Sequence, residues 1–306
     1  MGFIAGMGII NCDLLYSGLG AIPNEGEEVY SKEFDVQLGG GNPAIMVNLS
    51  RLNLPVRMVT FLGKDLFSTH MQELLKKQGI EYTNLYRGDG MPLNITSVAV
   101  TKRDRTFLTY MGKVDLAEED IREVYRQFTG AKLIRMYCDL ENEALYQMYQ
   151  KLKAEGSILT MDTGWEEDLS VEKYKKYLEL ADYYTPNEKE ALKITGTGSV
   201  PEAANVLAEF FDDVVIKLGK NGCFYQRDGK EQILKPLDHV DAIDATGAGD
   251  AFMAGFMYGL YHDYSTEDCI RLGNIMGGYC VQAVGCLTKF PTEEELLRHL
   301  SEYSRN

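Results

Sequence analysis

From about residue 42 onward, short apolar runs of β-type composition alternate with longer stretches in which apolar residues recur at helical spacing. VRMVTFL (56–62), AKLIRMY (131–137), SILTMD (157–162), DYYTP (182–186) and DVVIKL (213–218) read as buried strands, and segments such as ENEALYQMYQKLKAEG between them have helical length. Strands alternating with helices pair in parallel through crossovers. The pattern therefore predicts an α/β fold with a mainly parallel central sheet flanked by helices. Two stretches depart from it. GIINCDLLYSGLGAIPNEGEEVYSKEFDVQL precedes the first helix, and LNITSVAVTKRDRTFLTYMG has alternating halves about a charged turn, as in a hairpin. They predict a small antiparallel β lid, from about 12–37 and 92–112, over the carboxyl ends of the parallel strands, where open α/β sheets bind ligands. No repeat or low-complexity linker divides the chain, so residues 1–306 are expected to form one domain carrying that lid.

Charge narrows the partners. Thirty-one basic against 46 acidic residues give a net charge of −15, which repels nucleic acid and an anionic membrane face. The six cysteines form no C-x-x-C pair, and four histidines show no zinc-ligand spacing, so reduced thiols and a cytoplasmic location are expected. MGFIAGMGIINCD carries no basic leader, and the apolar run near 251–261, broken by Gly255 and Gly259, is too short to span a bilayer.

The chemistry concentrates in DATGAGDAF, residues 244–252. A short strand is expected before Asp244 and a helix after Gly249, which places TGAG at a helix N-terminus. Unpaired N–H groups, a partial positive charge and bare glycine backbone there form an anion cradle. A carboxylate in the first turn, Asp250, does not bind that anion; it is suited to take a proton from a hydroxyl attacking phosphorus. A plain cap would need only one of these residues.

This string resembles the C-terminal signature of the ribokinase (PfkB) family of carbohydrate kinases, and the resemblance runs essentially end to end. It implies a ribokinase-like fold, Asp250 as catalytic base, the N–H groups of Gly247, Ala248 and Gly249 stabilising the transferred phosphoryl group, and ATP with Mg²⁺ as donor. It places Thr246, Gly247 and Gly249 at the nucleotide. In TPNEKEA, Asn187 and Glu190 match the family's N-x-x-E motif, with Glu190 acting on Mg²⁺ through water; the same spacing is also a helix capping box. Lys217, Gly219 and Gly222, in the strand and turn before an Asp228-Gly229 hairpin, are implied to border the nucleotide. LGNIMGGYCVQAVGC reads as a helical stretch along the adenine, with Asn274 reaching a base edge. Monovalent-cation activation, known among relatives, would need carbonyls near Asp244 and Gly285.

For the acceptor, Asn11 and Asp13 lie two residues apart on extended chain, hence on one side, where an amide and a carboxylate suit vicinal hydroxyls. QLGGGNPAIMVNLSRL resembles the N-terminal signature and adds Gly40, Gly41 and Asn42 as acceptor contacts; Ala44 stands where the family commonly has Asn, which leaves one hydroxyl contact to Asn42 or to none. Glu141 matches a substrate-side carboxylate of some family members but reads as a solvated helix-start acid, Asp162 ends a strand at the ligand edge, and Trp165, which could stack on a sugar or base, reads as packing. Arg103 and Arg105 read as a solvated hairpin turn, with an unphosphorylated acceptor preferred. The expected reaction is transfer of the γ-phosphoryl group to a hydroxyl, preferably primary, of a sugar or sugar-like polyol. A nucleoside kinase of the same fold and a non-catalytic sugar sensor are the alternatives; a dehydrogenase lacks G-x-G-x-x-G spacing at the first strand. A homodimer through the exposed edges of the lid is also expected.

Overall fold

The computed structural model describes residues 2–303 apart from 102 and 104. In chain order the elements are β1 (Phe3–Met7), β2 (Asn11–Leu19), β3 (Glu33–Gly39), α1 (Gly41–Arg51), β4 (Val56–Thr60), α2 (Leu66–Lys77), β5 (Tyr82–Asn84), β6 (Asn94–Thr101) and β7 (Arg105–Tyr110). They continue with α3 (Glu118–Phe128), β8 (Ala131–Arg135), α4 (Glu143–Ala154), β9 (Ile158–Met161), α5 (Val171–Leu180), β10 (Tyr183–Tyr184), α6 (Glu188–Thr195) and α7 (Val200–Leu207). The last are β11 (Asp213–Lys217), β12 (Cys223–Arg227), β13 (Lys230–Leu234), α8 (Ala248–Tyr261), α9 (Thr266–Cys280) and α10 (Glu293–Tyr303).

The central sheet is parallel, in the order β10-β9-β8-β1-β4-β5. Its strands lack a polar face because both faces are covered. Ile4, Met58 and Leu133 pack with α1, α8, α9 and α10, whereas their neighbours Ala5, Val59 and Ile134 pack with α3, α4, α5 and α7. Successive strand residues point to opposite faces, so one alternation feeds two cores. β1 lies between β8 and β4, and the crevice above it is the place where such a sheet takes a ligand.

DVVIKL is only marginally part of this sheet. β11 reaches it through a single parallel bridge between Lys217 and Asn187, with the Lys217 N–H donating to the Pro186 carbonyl at 2.8 Å. Its ladder is with β12, antiparallel, and β13 completes that three-stranded sheet.

The two stretches that break the α/β pattern do form the lid, a sheet ordered β3-β2-β6-β7. It is antiparallel at β2/β3 and β6/β7, and parallel where β2 meets β6. β2 follows β1 after three residues, so the lid grows directly out of the central strand. Its outward positions expose Phe34, Leu108 and Tyr110. Among the described residues, no helix is long and apolar enough to cross a membrane.

Candidate active site

Two helix N-termini meet above β1. α8 starts at Ala248 with Gly247 as its N-cap at φ 74°, a conformation suited to glycine, and a Cβ there would lie 2.0 Å from Cys286 Cβ. The expected strand before Asp244 is absent. Instead the Ile243 and Asp244 N–H groups both donate to the Val281 carbonyl, at 2.7 and 3.1 Å, and the buried Asp244 side chain builds the turn. Its Oδ1 accepts the Thr246 N–H at 3.0 Å and the Thr246 hydroxyl at 2.7 Å; its Oδ2 accepts the Gly285 N–H at 3.0 Å. Arg105 of the lid places Nε 3.7 Å from Asp244 Oδ1 and is only partly exposed, so it faces inward rather than forming a solvated turn. The expected helix through VQAVGC also stops early. α9 ends at Cys280, and the chain then turns through Gly285, at φ 92°, to reach Asp244.

Asp250 is the third residue of α8, and its Oδ2 accepts the Gly41 N–H, the first of α1, at 3.0 Å. Burial, then the negative charge of Asp162, pushes its carboxyl up to about 6; the Gly41 N–H, Lys217 and Arg135 oppose the rise. Gly249 keeps the cradle open, since a Cβ there would come 3.3 Å from Lys217 Nζ.

Facing this from the lid is a polar network. Asn11 Nδ2 donates to Asp13 Oδ1 and to Thr96 Oγ1, which in turn pairs with Thr109 at 3.1 Å. Asp13 is 3% exposed, and burial followed by the charges of Asp244 and Asp250 raises it to about 6 against the pull of the Asn11 bond. Gly39 lies against it: a Cβ would fall 2.1 Å from Asp13 Oδ2. Gly40 and Gly41, at φ 21° and 68°, carry the chain from that lid strand into α1.

Several expected residues have other duties. Asn42 is buried, and its Nδ2 donates beneath α1 to the carbonyls of Met7, Arg135 and Met136, so its amide nitrogen ties the helix to two strand ends. Ala44 is fully buried in the core, and no amide stands in its place. Asn274 Nδ2 donates to the Leu234 and Lys235 carbonyls and its Oδ1 accepts from Cys223 Sγ, so both of its amide donors are used within the fold. Asn187 and Glu190 form a reciprocal capping box, each side chain bonded to the other's N–H at 3.0 and 2.9 Å. Glu190 is nonetheless 8% exposed, and burial and Asp162 raise it while Lys217 lowers it, so it shares the field around Asp250. Gly219 and Gly222 shape the turn after β11; a Cβ on Gly222 would meet the Leu234 carbonyl at 2.1 Å. Glu141 and Trp165 are exposed.

Sequence reasoning missed Gly39, Thr96, Thr109 and Arg135. Arg135, 4% exposed and paired with Asp162 at 3.4 Å, had a signal: a charge inside the apolar run AKLIRMY.

Fold and site together define a small-molecule phosphotransferase: a lid with hydroxyl-matching side chains faces a carboxylate at an anion cradle. The chain belongs to the pfkB family of carbohydrate kinases, whose profile it matches over residues 3–293. It is 28% identical over 302 residues to a ribokinase of Haemophilus influenzae, covering 96% of this chain and 97% of that one. Ribokinase from Giardia lamblia has the same fold, with a TM-score of 0.85 at 20% identity over 99% of both chains. So does a nucleoside kinase of Methanocaldococcus jannaschii, with a TM-score of 0.79 at 18% identity and 99% coverage of each. The chain is therefore an ATP-dependent phosphotransferase of the carbohydrate kinase family, with an alcohol group as acceptor.

Proposed function

We propose that the protein transfers the γ-phosphoryl group of ATP to a hydroxyl, preferably primary, of an unphosphorylated sugar or sugar-like polyol, with Asp250 as general base. The contact that carries this reading is Asp250 Oδ2 with the Gly41 N–H, 3.0 Å, at the meeting of two helix N-termini. One carboxylate oxygen is thereby fixed and the other is left to the acceptor. The acceptor lies between Asn11 and Asp13 on the lid and Gly40 and Gly41 below. Its hydroxyl proton passes to Asp250 as the new O–P bond forms, and the bond to the β-phosphate oxygen breaks to release ADP. The N–H groups of Gly247, Ala248 and Gly249 take up the charge on the transferred group, and Thr246, Lys217, Gly219 and Gly222 line the donor side.

Magnesium fits this donor set. Among the described residues no three His, Cys, Asp or Glu side chains gather to hold a metal, which suits an ion bound mainly by phosphates, with Glu190 reaching it through water. Bound there, it would offset phosphate charge. A monovalent cation would have to approach Asp244, where Arg105 already supplies positive charge, so turnover is expected without potassium. The reaction is assigned to the cytoplasm, and the exposed apolar lid face, with Phe34, Leu108 and Tyr110 about half or more exposed, is assigned to a homodimer.

The test is ADP release with Mg·ATP across sugars, sugar acids, sugar phosphates and nucleosides, with Asp250→Asn alongside. Saturable turnover on a sugar or polyol, lost in the variant, is the expected result. Saturation by nucleosides with indifference to free sugars would reassign the acceptor, and undiminished turnover by the variant would remove the base.

A further inference from the structure

Arg135 ends β8 and is the one cation among the buried polar side chains of the described residues. Its partners are few for five donors. Nη2 lies 3.4 Å from Asp162 Oδ2, Nη1 donates to the Met136 carbonyl at 3.3 Å, and Nε has no hydrogen-bond partner among the described residues. A buried guanidinium so sparsely bonded costs stability, and its desolvation outweighs what a single long ion pair returns. Its place gives it a use. Leu133, two residues earlier, packs on the side of α1 and α8, and strand alternation puts Arg135 on that same side, at the strand end.

The main chain at this point bears on the same group. The Arg135 and Met136 carbonyls, both at 3.3 Å, accept from Asn42, which follows the Gly41 whose N–H holds Asp250. We propose that Arg135 is a positioning residue for phosphoryl transfer: its buried guanidinium and the strand end that carries it together keep Asp250 oriented and ionised before the acceptor. The proposal rests on Asp250 being the base.

The groups facing Asp250 come from several elements. Asp162 beyond β9 raises its proton affinity, and the Gly41 N–H of α1, Lys217 of β11 and Arg135 of β8 lower it. Asp13 of β2, Cys280 of α9 and Cys286 face it as well and are raised by its charge. Both thiols stay protonated. The balance is thus between two carboxylates, Asp13 and Asp162, and two cations, Lys217 and Arg135.

The experiment compares wild type with Arg135→Met, Arg135→Lys and Asp162→Asn, in the full chain. Asp250 is followed by carboxyl ¹³C NMR on aspartate-labelled protein, its resonance assigned by loss in Asp250→Asn; this needs no acceptor. kcat/KM is measured against pH with the best acceptor of the panel. In Arg135→Met the Asp250 midpoint is expected to rise by about one pH unit, which lowers kcat/KM at pH 6 about five-fold and leaves it nearly unchanged at pH 8. Arg135→Lys should lie near wild type and Asp162→Asn should shift the midpoint the other way, so the test survives if Arg135→Met does not fold. A midpoint unmoved in the folded Met variant, or unmoved in Asp162→Asn, overturns the proposal. Full turnover by Asp250→Asn is a different failure: it overturns the base assignment even where the NMR midpoint moves as expected.

Discussion

Asp250→Asn should make the protein more stable as it makes it inactive. In the fold the carboxyl is pushed up to about 6, chiefly by burial and by Asp162, whereas in an unfolded chain it titrates near 3.9. A carboxylate whose folded value is raised costs stability when ionised. That cost is complete above the folded value, shrinks between about 6 and 3.9, and is gone below the unfolded value. Two pH units correspond to about 3 kcal/mol at pH 8. Because Asp250 is only half-buried, about 1–2 kcal/mol is the discounted expectation. Asparagine keeps an oxygen for the Gly41 N–H, so the 3.0 Å contact that orients the side chain need not be lost. For a chain of this size the gain amounts to a rise in Tm of about 2–4 °C at pH 8. Thermal unfolding of both proteins at pH 8 and pH 4.5 checks it, with the difference expected to fall by more than half at the lower pH. Turnover at pH 8 should drop about 10²- to 10⁴-fold. A variant no more stable than wild type at pH 8, or a gain equal at both pH values, would refute the electrostatic reasoning whatever happens to activity.

The other expectations follow from the same geometry. Asp13 and Asp250 are both raised to about 6 and both act ionised, so kcat/KM should fall with a slope approaching two below pH 6. Asp13→Asn should reduce that slope to one and raise the acceptor KM about ten-fold or more, as initial rates across pH would reveal. Gly247→Ala should cost about 3 kcal/mol or more in urea unfolding, since its Cβ would sit 2.0 Å from Cys286 at a positive φ. Gly249→Ala, which meets only the end of Lys217 at 3.3 Å, should fold normally and raise the KM for ATP. Leu108→Glu, on the exposed lid face, should shift a dimer to monomer in sedimentation at micromolar protein, with the Tm within about 1 °C of wild type.

The layered fold was legible because the central strands are apolar on both faces, a pattern that survives without knowledge of contacts. The start of α8 was legible for a related reason: glycines around a carboxylate serve local backbone geometry, and Gly247 does adopt a positive φ. What could not be read depends on groups distant in sequence. DHVDAI resembles a strand, but its N–H groups are taken by the Val281 carbonyl. Asn42 and Asn274 carry the right chemistry for ligands, yet carbonyls from β1, β8 and the end of β13 claim their amides. Asn187 and Glu190 form the capping box that their spacing also predicted, and that box leaves Glu190 in the electrostatic field of Lys217 and Asp162. Arg105 looked like a solvated turn because nothing nearby in sequence announces Asp244, 139 positions further on (244 − 105).

That last pairing joins the lid to the turn that starts α8. Asp244 gathers the Thr246 turn, the Gly285 loop and, through Arg105, the rim of the lid onto one carboxylate. The lid and the turn before α8 thus share a keystone. Moving the lid away would withdraw the charge that balances this carboxylate, and deforming the turn would loosen the seat of Arg105. A substitution at Arg105 should accordingly be felt at the start of α8, which Asp244 shapes through the Thr246 turn.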